Sequence, residues 1–425
     1  MQSSRISRRN FLRSAISTAA GAAAVSPLVV SSSVLGRDGS VPPNEKIVTA
    51  FIGIGSRAQQ VMGDFMNSRN KPFHIVAVCD CFTKPLEEGR LRVNQFNNNG
   101  DCKTYAKYED ILARPDIDVV TVTTPDHWHT KITVEACQAG KDVFCEKPLT
   151  LTPLETRQIV AAARKYNRVC TSGSQRVMED YGYMAPVVKS GALGEVKEAY
   201  LNVGGAPYDL YYPEEQVPKG DDWDRWLGPA PWVPYHPERC SGSYGGGWRR
   251  CWDYGNGFLA DWGAHKLGGI LYVLGLDADE PVEILPPKCE KNDKEWLVWV
   301  YPNGTKIYHA TNSSHDITLV GTERTYKHQL DRNNIKPRGA VELRRYAPGA
   351  NRLAEDFAYC VYNRTRPFQD FVYGGATALG CQLANITYKV NRPLKWNAAT
   401  TSFDDEIANR FVNRPKRSPY IIKEI

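Results

Sequence analysis

Two polar side chains, Asp261 and His265, lie four residues apart in a stretch rich in small and apolar residues. Residues at this spacing share one face of an α-helix, so a helix here would bring the carboxylate beside the imidazole. A neighbouring carboxylate fixes the tautomer of an imidazole and raises its basicity. The pair therefore predicts a proton-transfer site that can take a hydroxyl proton, and a purely structural helix histidine is the alternative.

A glycine-rich turn suited to phosphate binding lies near the start of the globular part. A β-branched apolar run over residues 46–52 ends in Gly53-Ile54-Gly55-Ser56-Arg57-Ala58, and a helical pattern follows. Gly53 permits the tight turn, Gly55 lets the backbone approach a pyrophosphate, and Ala58 allows the helix to pack closely on the strand. The free N–H groups of the helix N-terminus would then face the phosphates.

The acidic residue that follows the next apolar run bears on which dinucleotide binds. Asp80 ends the run at residues 74–79, about 25 residues after the glycines, where a carboxylate accepts from the ribose hydroxyls of adenosine. A carboxylate there repels a 2′-phosphate, which favours NAD over NADP. Arg57 keeps NADP open because it could reach a phosphate. A helix cap or turn residue is the structural alternative for Asp80.

Alternating apolar strands and helical patterns continue to about residue 172. Two polar clusters, Pro125–His129 and Glu146–Pro148, follow the ends of buried-looking strands. A helix is predicted at 130–139 after the first cluster, and another at 153–166 with Thr152 as its N-cap. Such alternation predicts an α/β fold with a Rossmann-type, doubly wound parallel sheet, and ligands bind beyond the strand C-termini of such sheets. Thr124 and Pro125 therefore join the candidate cofactor residues. Lys147 would act as a base or polarise a substrate oxygen, and a solvated turn lysine is its alternative.

From about residue 177 the pattern changes. The runs 196–201 and 296–300 read as strands of an antiparallel sheet, with a hairpin turn at Pro302-Asn303-Gly304. A helix at 354–363 is expected to pack back on the first domain. An aromatic cluster suits the faces of sugar rings, although an aromatic core or an oligomer interface fits nearly as well. Its tryptophans are Trp223, Trp226, Trp232, Trp248 and Trp252.

The first 40 residues differ from the rest. Arg8 and Arg9 precede Phe11-Leu12 and an alanine-rich apolar run to Val30, a pattern that resembles a bacterial twin-arginine signal. We expect cleavage near residues 33–40 and export to the periplasm by the twin-arginine machinery. A cytoplasmic N-terminal helix is the alternative. No other stretch reaches 18 apolar residues, so no stable membrane span is expected.

Composition excludes several classes of protein. The chain has 425 residues, is 42% hydrophobic and 24% charged, and carries a net charge of +6. These values exclude wholesale disorder and give no argument for nucleic-acid binding. The 11 cysteines are scattered without a CxxC motif, which indicates neither a disulfide framework nor a zinc ribbon, and no metal site is expected. Cys240 and Cys251 flank a glycine-rich loop and could pair after export.

Taken together, three motifs resemble the Gfo/Idh/MocA oxidoreductases, the glucose–fructose oxidoreductase and inositol dehydrogenase group. They are the glycine loop, Thr124-Pro125-Asp126-His127-Trp128-His129, and Cys145-Glu146-Lys147-Pro148-Leu149. The resemblance covers the whole mature chain, because residues 261–265 match the second-domain motif and residues 391–396 the C-terminal segment. It implies a C-terminal α+β domain with a large open, mostly antiparallel sheet.

The resemblance also implies roles for individual residues. Lys147 corresponds to the lysine near the reacting hydroxyl, His265 to the general acid/base, and Asp261 to its partner. Arg176 matches a frequent substrate contact, so these four residues form the predicted substrate site. The predicted cofactor residues are Gly53, Gly55, Ser56, Arg57, Asp80, Thr124, Pro125, His129 and Glu146. Many members have Asn where this chain has Asp126, and many have an acidic residue soon after the position of His265, which bears on substrate choice.

The resulting prediction is an exported oxidoreductase that transfers hydride between a tightly bound NAD, or NADP, and a sugar, glycoside or polyol hydroxyl. A redox-assisted glycosidase or lyase that recycles its NAD is the alternative, and a non-catalytic sugar-binding protein is a third possibility. We expect a homodimer or homotetramer. The expected divisions are 1–40 for the signal, 41–176 for the cofactor domain, 177–400 for the substrate and oligomerisation domain, and 401–425 for a tail.

Overall fold

A computed structural model of the protein describes residues 41–241, 247–309 and 316–422, together with Ile425. The predicted twin-arginine signal and its cleavage site lie outside the described residues. Within the described part, no helix is both long enough and apolar enough to cross a bilayer.

Six parallel strands form the first sheet, in the order β3-β2-β1-β4-β5-β6. This is the doubly wound order that the alternating pattern predicts, and it confirms the predicted α/β class of this half. The central strands are buried on both faces, which explains their continuous apolar sequence. The strands are β1 Ile47–Ile52, β2 Phe73–Cys79, β3 Lys103–Tyr105, β4 Val119–Val122, β5 Asp142–Cys145 and β6 Cys170–Ser172.

Five helices connect these strands: α1 Ser56–Met66, α2 Thr83–Asn97, α3 Tyr108–Leu112, α4 Asp126–Gln138 and α5 Pro153–Lys165. The predicted cap of α5 is confirmed, because the Thr152 hydroxyl accepts from the backbone N–H of Glu155 at 3.3 Å. The sequence pattern placed the start of α4 at Thr130, which is wrong. Pro125 occupies the N-cap position, so the mainly polar stretch from Asp126 to His129 forms the buried first turn of the helix.

The second sheet has eight strands in the order β12-β11-β7-β10-β9-β8-β13-β14. Among the described pairs of this second sheet, only β7 with β10 is parallel, which confirms a mostly antiparallel sheet. The strands are β7 Val196–Leu201, β8 Glu283–Leu285, β9 Leu297–Val300, β10 Lys306–His309, β11 Ile317–Gly321, β12 Thr325–Lys327, β13 Leu394–Asn397 and β14 Ser402–Phe403. Because β14 pairs with β13, the sheet continues into the predicted tail.

Helices cover one face of this sheet and join the two halves. The short ones are α6 Arg176–Glu179, α7 Met184–Lys189, α8 Trp223–Leu227, α9 Pro237–Cys240 and α13 Glu406–Asn409. The long ones are α10 Gly257–Leu274, α11 Leu353–Asn363 and α12 Phe371–Val390. The long helices α10 and α12 are buried on most sides and pack against each other, whereas α11 packs on α1 as predicted.

A buried polar network fixes the start of α10 against the first sheet. Asn256, just before α10, donates from its amide to the carbonyls of Thr150 at 3.0 Å and Leu151 at 3.3 Å. Asn385 of α12 donates to the Asn256 carbonyl at 2.8 Å, and Gln382 donates to the Thr150 carbonyl at 2.7 Å. Buried amides are costly unless paired, so this network favours a single position of α10 relative to β5.

The structure bears on two alternatives that the sequence leaves open, one for the aromatic cluster and one for a cysteine pair. Trp223 and Trp226 stack in a buried aromatic core, their rings 4.8 Å apart, rather than presenting free faces to a sugar. Cys240 and Cys251 are not joined in the structure. The Cys240 thiol donates to the Pro237 carbonyl at 3.4 Å, which satisfies it within its own helix.

Candidate active site

The glycine loop has the geometry that a dinucleotide requires. Gly53 has a φ of +85°, and a Cβ there would lie 2.7 Å from the backbone nitrogen of Thr124. Only glycine therefore lets the ends of β1 and β4 approach this closely. Gly55 has ordinary backbone angles and caps α1, and a Cβ there would meet nothing within 4 Å. The empty space at Gly55 is where a phosphate could approach the backbone.

A cavity of about 400 Å³ opens from this loop. Its walls include the glycine loop with Ser56, and Thr124 and Pro125 at the end of β4. The Thr124 hydroxyl is buried without a hydrogen-bond partner among the described residues, so it remains available to a ligand. Trp226, Trp248 and Arg249 close the cavity from the second half of the chain. A mostly apolar cleft with a few directed polar groups suits a nucleotide, and these residues would hold one.

Asp80 lies at the end of β2 on the wall of this cavity, as predicted. Its carboxylate also shapes the loop, because it accepts from the backbone N–H of Ile54 at 2.7 Å and of Phe82 at 2.9 Å. Burial raises the pKa of Asp80 to about 6, although these backbone bonds favour the ionised form. The Asp80 carboxylate therefore has two roles: it holds the glycine loop through two backbone hydrogen bonds, and it lies where it can bind the ribose.

Arg57 also lines this cavity and is held by contacts toward the end of β5. Its guanidinium lies 2.9 Å from Glu146 Oε1, and it also donates to Gln60 at 2.9 Å and to Gln175 at 3.2 Å. These contacts hold the arginine between the ends of β1 and β5. Arg57 and Asp80 both line the cavity, and Asp80 remains the residue that favours NAD.

Lys147 and Asp261 meet although 114 residues separate them. The lysine Nζ lies 2.6 Å from Asp261 Oδ1, and it also donates to the Asp261 carbonyl at 3.2 Å. Arg249 donates from Nε to the same carboxylate oxygen at 3.3 Å. Burial disfavours ionisation of Asp261, but the charges and hydrogen bonds of Lys147 and Arg249 outweigh it and lower the pKa. The result is an ionised carboxylate between two cations.

His265 lies one turn beyond Asp261 on α10, so the predicted shared face is confirmed. The predicted pairing is wrong, because the Asp261 carboxylate binds Lys147 and Arg249 and the buried His265 Nδ1 has no partner among the described residues. Burial, followed by the charges of Lys147 and Arg176, lowers the pKa of His265 well below its usual value. The imidazole is therefore neutral at pH 7.

Two predicted cofactor residues, His129 and Glu146, lie behind the cavity wall. The two ring nitrogens of His129 contact the carbonyls of Thr124 at 2.8 Å and Pro148 at 2.9 Å. Burial lowers the pKa of His129 despite these carbonyls. Glu146 accepts from Arg57 and from the backbone N–H of Lys147 at 3.1 Å. Both side chains therefore position Thr124 and Lys147 and do not line the described nucleotide cavity.

Arg176 lines a different cavity, of about 700 Å³, beside α10. It forms an ion pair with Asp180 at 2.5 Å, and its guanidinium lies 5.4 Å from the centre of the Trp262 ring. Trp262 and Lys266 of α10 share this cavity, each one position along the helix from Asp261 and His265. The predicted substrate residues therefore face two neighbouring spaces.

Sequence comparison covers both halves of the chain. Residues 47–174 match the family model described as "Oxidoreductase family, NAD-binding Rossmann fold", and residues 205–422 match its "C-terminal alpha/beta domain". The chain belongs to the Gfo/Idh/MocA oxidoreductase family. Membership confirms the resemblance seen in the motifs, and it identifies the cavity at the glycine loop as an NAD-binding site.

Relatives of this Gfo/Idh/MocA chain include sugar-acting proteins. "Glycosyl hydrolase family 109 protein 2" of Shewanella sp. (strain ANA-3) is 29% identical over 218 residues, which are 46% of each chain. The matched region is thus less than half of that protein's length. Two solved structures share the fold: aldose-aldose oxidoreductase from Caulobacter crescentus complexed with glycerol (18% identity, TM-score 0.54) and myo-inositol 2-dehydrogenase from Lactobacillus plantarum (17%, 0.55). Each alignment covers 82% of this chain and 99% of the other.

No sequence motif of this family member marks Arg249 as a site residue, and Asp126 stands out only as a departure from the family pattern. Asp126 is buried at the start of α4 and accepts from the backbone N–H of Asn256 at 3.3 Å, while its Oδ1 has no partner among the described residues. Burial raises its pKa to about 8, with Asp261 opposing its ionisation and Arg249 favouring it. No local signal marks Arg249, because its contact with Asp261 depends on the turn that precedes α10.

Asp126→Asn is expected to stabilise the protein more at pH 9 than at pH 5. A carboxyl with a pKa raised from 3.8 to about 8 contributes stability below pH 4 that is lost as the pH rises through 8. Asparagine keeps an acceptor for Asn256 and cannot ionise. We expect the Tm difference from wild type to increase by about 3 °C or more between pH 5 and pH 9 in thermal unfolding.

Asp116→Asn is the control for this measurement. A hydrogen bond from Arg114 lowers the pKa of Asp116, so its carboxylate is ionised throughout this range and its effect should not depend on pH. An equal Tm difference for Asp126→Asn at both pH values would show that Asp126 is ionised in the folded protein.

Proposed function

We propose that the protein is an exported oxidoreductase that transfers hydride between a tightly held NAD and a hydroxyl of a sugar, glycoside or polyol. The observation that carries the proposal is the cluster of Lys147, Asp261 and Arg249 with neutral His265 beside it. Bound NAD supplies the carbon that takes or returns hydride. Arg249 lines the NAD cavity and also binds Asp261, so the cluster lies at the cavity wall.

The side chains divide the remaining work of alcohol oxidation. The Lys147 ammonium can donate to the reacting oxygen and stabilise the negative charge that develops there. The neutral His265 can accept the hydroxyl proton, since its buried Nδ1 has no partner among the described residues. Asp261 holds Lys147 in place at 2.6 Å, and the charges of Lys147 and Arg249 keep that carboxylate ionised. In the reductive direction the same groups return the proton.

Tight cofactor binding and export belong to the same proposal. Arg8 and Arg9, with the apolar run after them, support export in the folded state to the periplasm by the twin-arginine machinery. That compartment holds little free nicotinamide nucleotide, so a cofactor that is recycled in place is expected. Asp80 at the end of β2 supports NAD rather than NADP. Assembly as a homodimer or homotetramer is part of the proposal.

The alternative function is glycoside cleavage through transient oxidation, with no net redox change. The likeness to a Shewanella protein named as a glycosyl hydrolase favours this alternative at 29% identity. A sugar-binding protein without activity is a third possibility. Lys147 and Asp261 paired at 2.6 Å argue against it, since a binding protein has no need for a buried ion pair beside a neutral histidine.

One experiment separates these functions. The protein is purified through its export route and denatured, and the released nicotinamide nucleotide is measured; we expect about one NAD(H) per chain. The native protein is then incubated with a panel of sugars, polyols and glycosides while NADH absorbance and free sugar are both measured. Net NADH formation or sugar interconversion supports the dehydrogenase, and sugar release without NADH accumulation supports the glycosidase. Absence of nucleotide contradicts tight binding, and an inactive protein that binds sugar contradicts both enzymes.

A further inference from the structure

The cavity beside Trp262 is separate from the NAD cavity and is lined mainly by polar side chains. Arg176, Trp262 and Lys266 form one wall, and Asp316, His328 and Arg332 of the β11–β12 region form the other. Its volume of about 700 Å³ is larger than that of the NAD cavity and exceeds what one sugar ring needs. None of these residues except Arg176 has a role in the chemistry described above.

This cavity lies next to the predicted reaction centre, because neighbouring residues of the same helix, α10, line both. Asp261 and His265 occupy one face of α10, and Trp262 and Lys266 occupy the next. Lys147 and Arg176 both act on the buried His265 ring, since the charges of both disfavour its protonated form. His265 therefore lies within electrostatic range of Lys147 on the reaction side and of Arg176 in the second cavity. A ligand in this cavity would therefore be close to a sugar ring that reacts at Lys147.

The lining alternates hydrogen-bond donors with acceptors. Lys266 forms an ion pair with Asp316 and donates to the Asn202 carbonyl at 2.5 Å. Tyr181 donates to the other oxygen of Asp316 at 3.2 Å, and Arg176 is paired with Asp180. Charges of both signs are thus largely balanced at the wall. Sugar hydroxyls both donate and accept, so a neutral polyhydroxylated ring fits this lining better than an apolar ligand or a polyanion.

Arg332 supplies donors that the protein itself leaves unused. Its guanidinium lies 4.2 Å from the centre of the Tyr183 ring, and no carboxylate within the described ranges pairs with it. His328 also stacks on the Tyr183 ring, with the two ring centres 5.7 Å apart, and its Nδ1 lies 3.5 Å from Asp316. A stacked arginine is held in place while its N–H groups remain free to bind ligand oxygens.

We propose that this cavity binds a second glycosyl unit of the substrate, so that the natural ligand is a disaccharide or a larger glycoside whose reacting ring lies at Lys147. Arg332 is then a specificity residue for that second ring. The proposal rests on the proposed function for the position of the reacting ring. It adds that the protein distinguishes a glycoside with a second sugar from one with a small aglycone.

The test compares disaccharides of glucose, galactose and N-acetylglucosamine with the corresponding methyl glycosides. For wild type, we expect kcat/KM for the best disaccharide to exceed that of its methyl glycoside at least tenfold. Arg332→Ala should lower this ratio about tenfold or more. Arg324→Ala is the matched control, because Arg324 is exposed on the same β11–β12 hairpin and does not line the cavity. It should leave the ratio unchanged.

A second measurement does not depend on turnover. Binding of the same disaccharides and methyl glycosides is followed by tryptophan fluorescence, since Trp262 lies in the cavity wall. Disaccharide binding that Arg332→Ala weakens tenfold, without any hydride transfer, would support the subsite and contradict the proposed function. Turnover of methyl glycosides with no disaccharide preference would overturn the subsite and leave the proposed function standing. If Arg332→Ala weakened the binding of disaccharides and of methyl glycosides equally, the subsite would also be overturned.

Discussion

Lys147→Met is expected to lower kcat about a thousandfold on any sugar or glycoside that the wild-type protein turns over. Methionine is about as long as lysine but carries no charge and no proton, so it can neither donate to the reacting oxygen nor stabilise charge there. Asp261 would still be paired with Arg249 at 3.3 Å, so the buried carboxylate keeps a cation and the fold is expected to survive. Bound NAD content should be unchanged, because Lys147 does not line the NAD cavity.

Lys131→Met is the matched control for this experiment. Lys131 is also largely buried, and its Nζ lies 2.5 Å from Glu135, but it lies on α4 outside both cavities. Its replacement should lower Tm and leave kcat within about threefold of wild type. Near-normal turnover in Lys147→Met, measured with the same substrate and the same NAD content, would remove Lys147 from the catalytic assignment.

The nucleotide half could be predicted from the sequence because its signals are local. Alternating strands and helices, the Gly53-x-Gly55 turn and Asp80 after β2 each depend on a few neighbouring residues, and the structure places all of them as expected. The predicted start of α4 was wrong because the first turn of this helix, Asp126 to His129, is mainly polar and yet buried. A polar run after a strand is typical of a loop, and only the surrounding structure shows that it is enclosed.

The reaction centre was harder to predict because its contacts join distant residues. The four-residue spacing correctly placed Asp261 and His265 on one helical face, but it could not show that Lys147, far away in sequence, takes the carboxylate. Arg249 reaches Asp261 from a turn before α10 that has no recognisable sequence motif. The family resemblance predicted roles for His129 at the cofactor and for Arg176 at the substrate. In the structure His129 contacts two backbone carbonyls, and Arg176 lines a second cavity.

The two loop glycines should fail in different ways when each is replaced by alanine. Gly53→Ala puts a Cβ 2.7 Å from the Thr124 backbone nitrogen at a φ of +85°, so both the clash and the backbone angle oppose folding. We expect a loss of about 2–5 kcal/mol in the free energy of unfolding, together with loss of bound NAD. Chemical denaturation and the nucleotide content of the purified protein measure the two effects.

Gly55→Ala isolates cofactor binding from folding. A Cβ at Gly55 meets no protein atom within 4 Å, and the backbone there is ordinary for alanine, so the cofactor-free protein should lose no more than about 1 kcal/mol. The same Cβ occupies the space through which a pyrophosphate reaches the first N–H groups of α1, so NAD affinity should fall at least tenfold. A Gly55→Ala protein that retains a full complement of NAD would show that the phosphates bind elsewhere. A Gly53→Ala protein of normal stability would show that the ends of β1 and β4 can separate without cost.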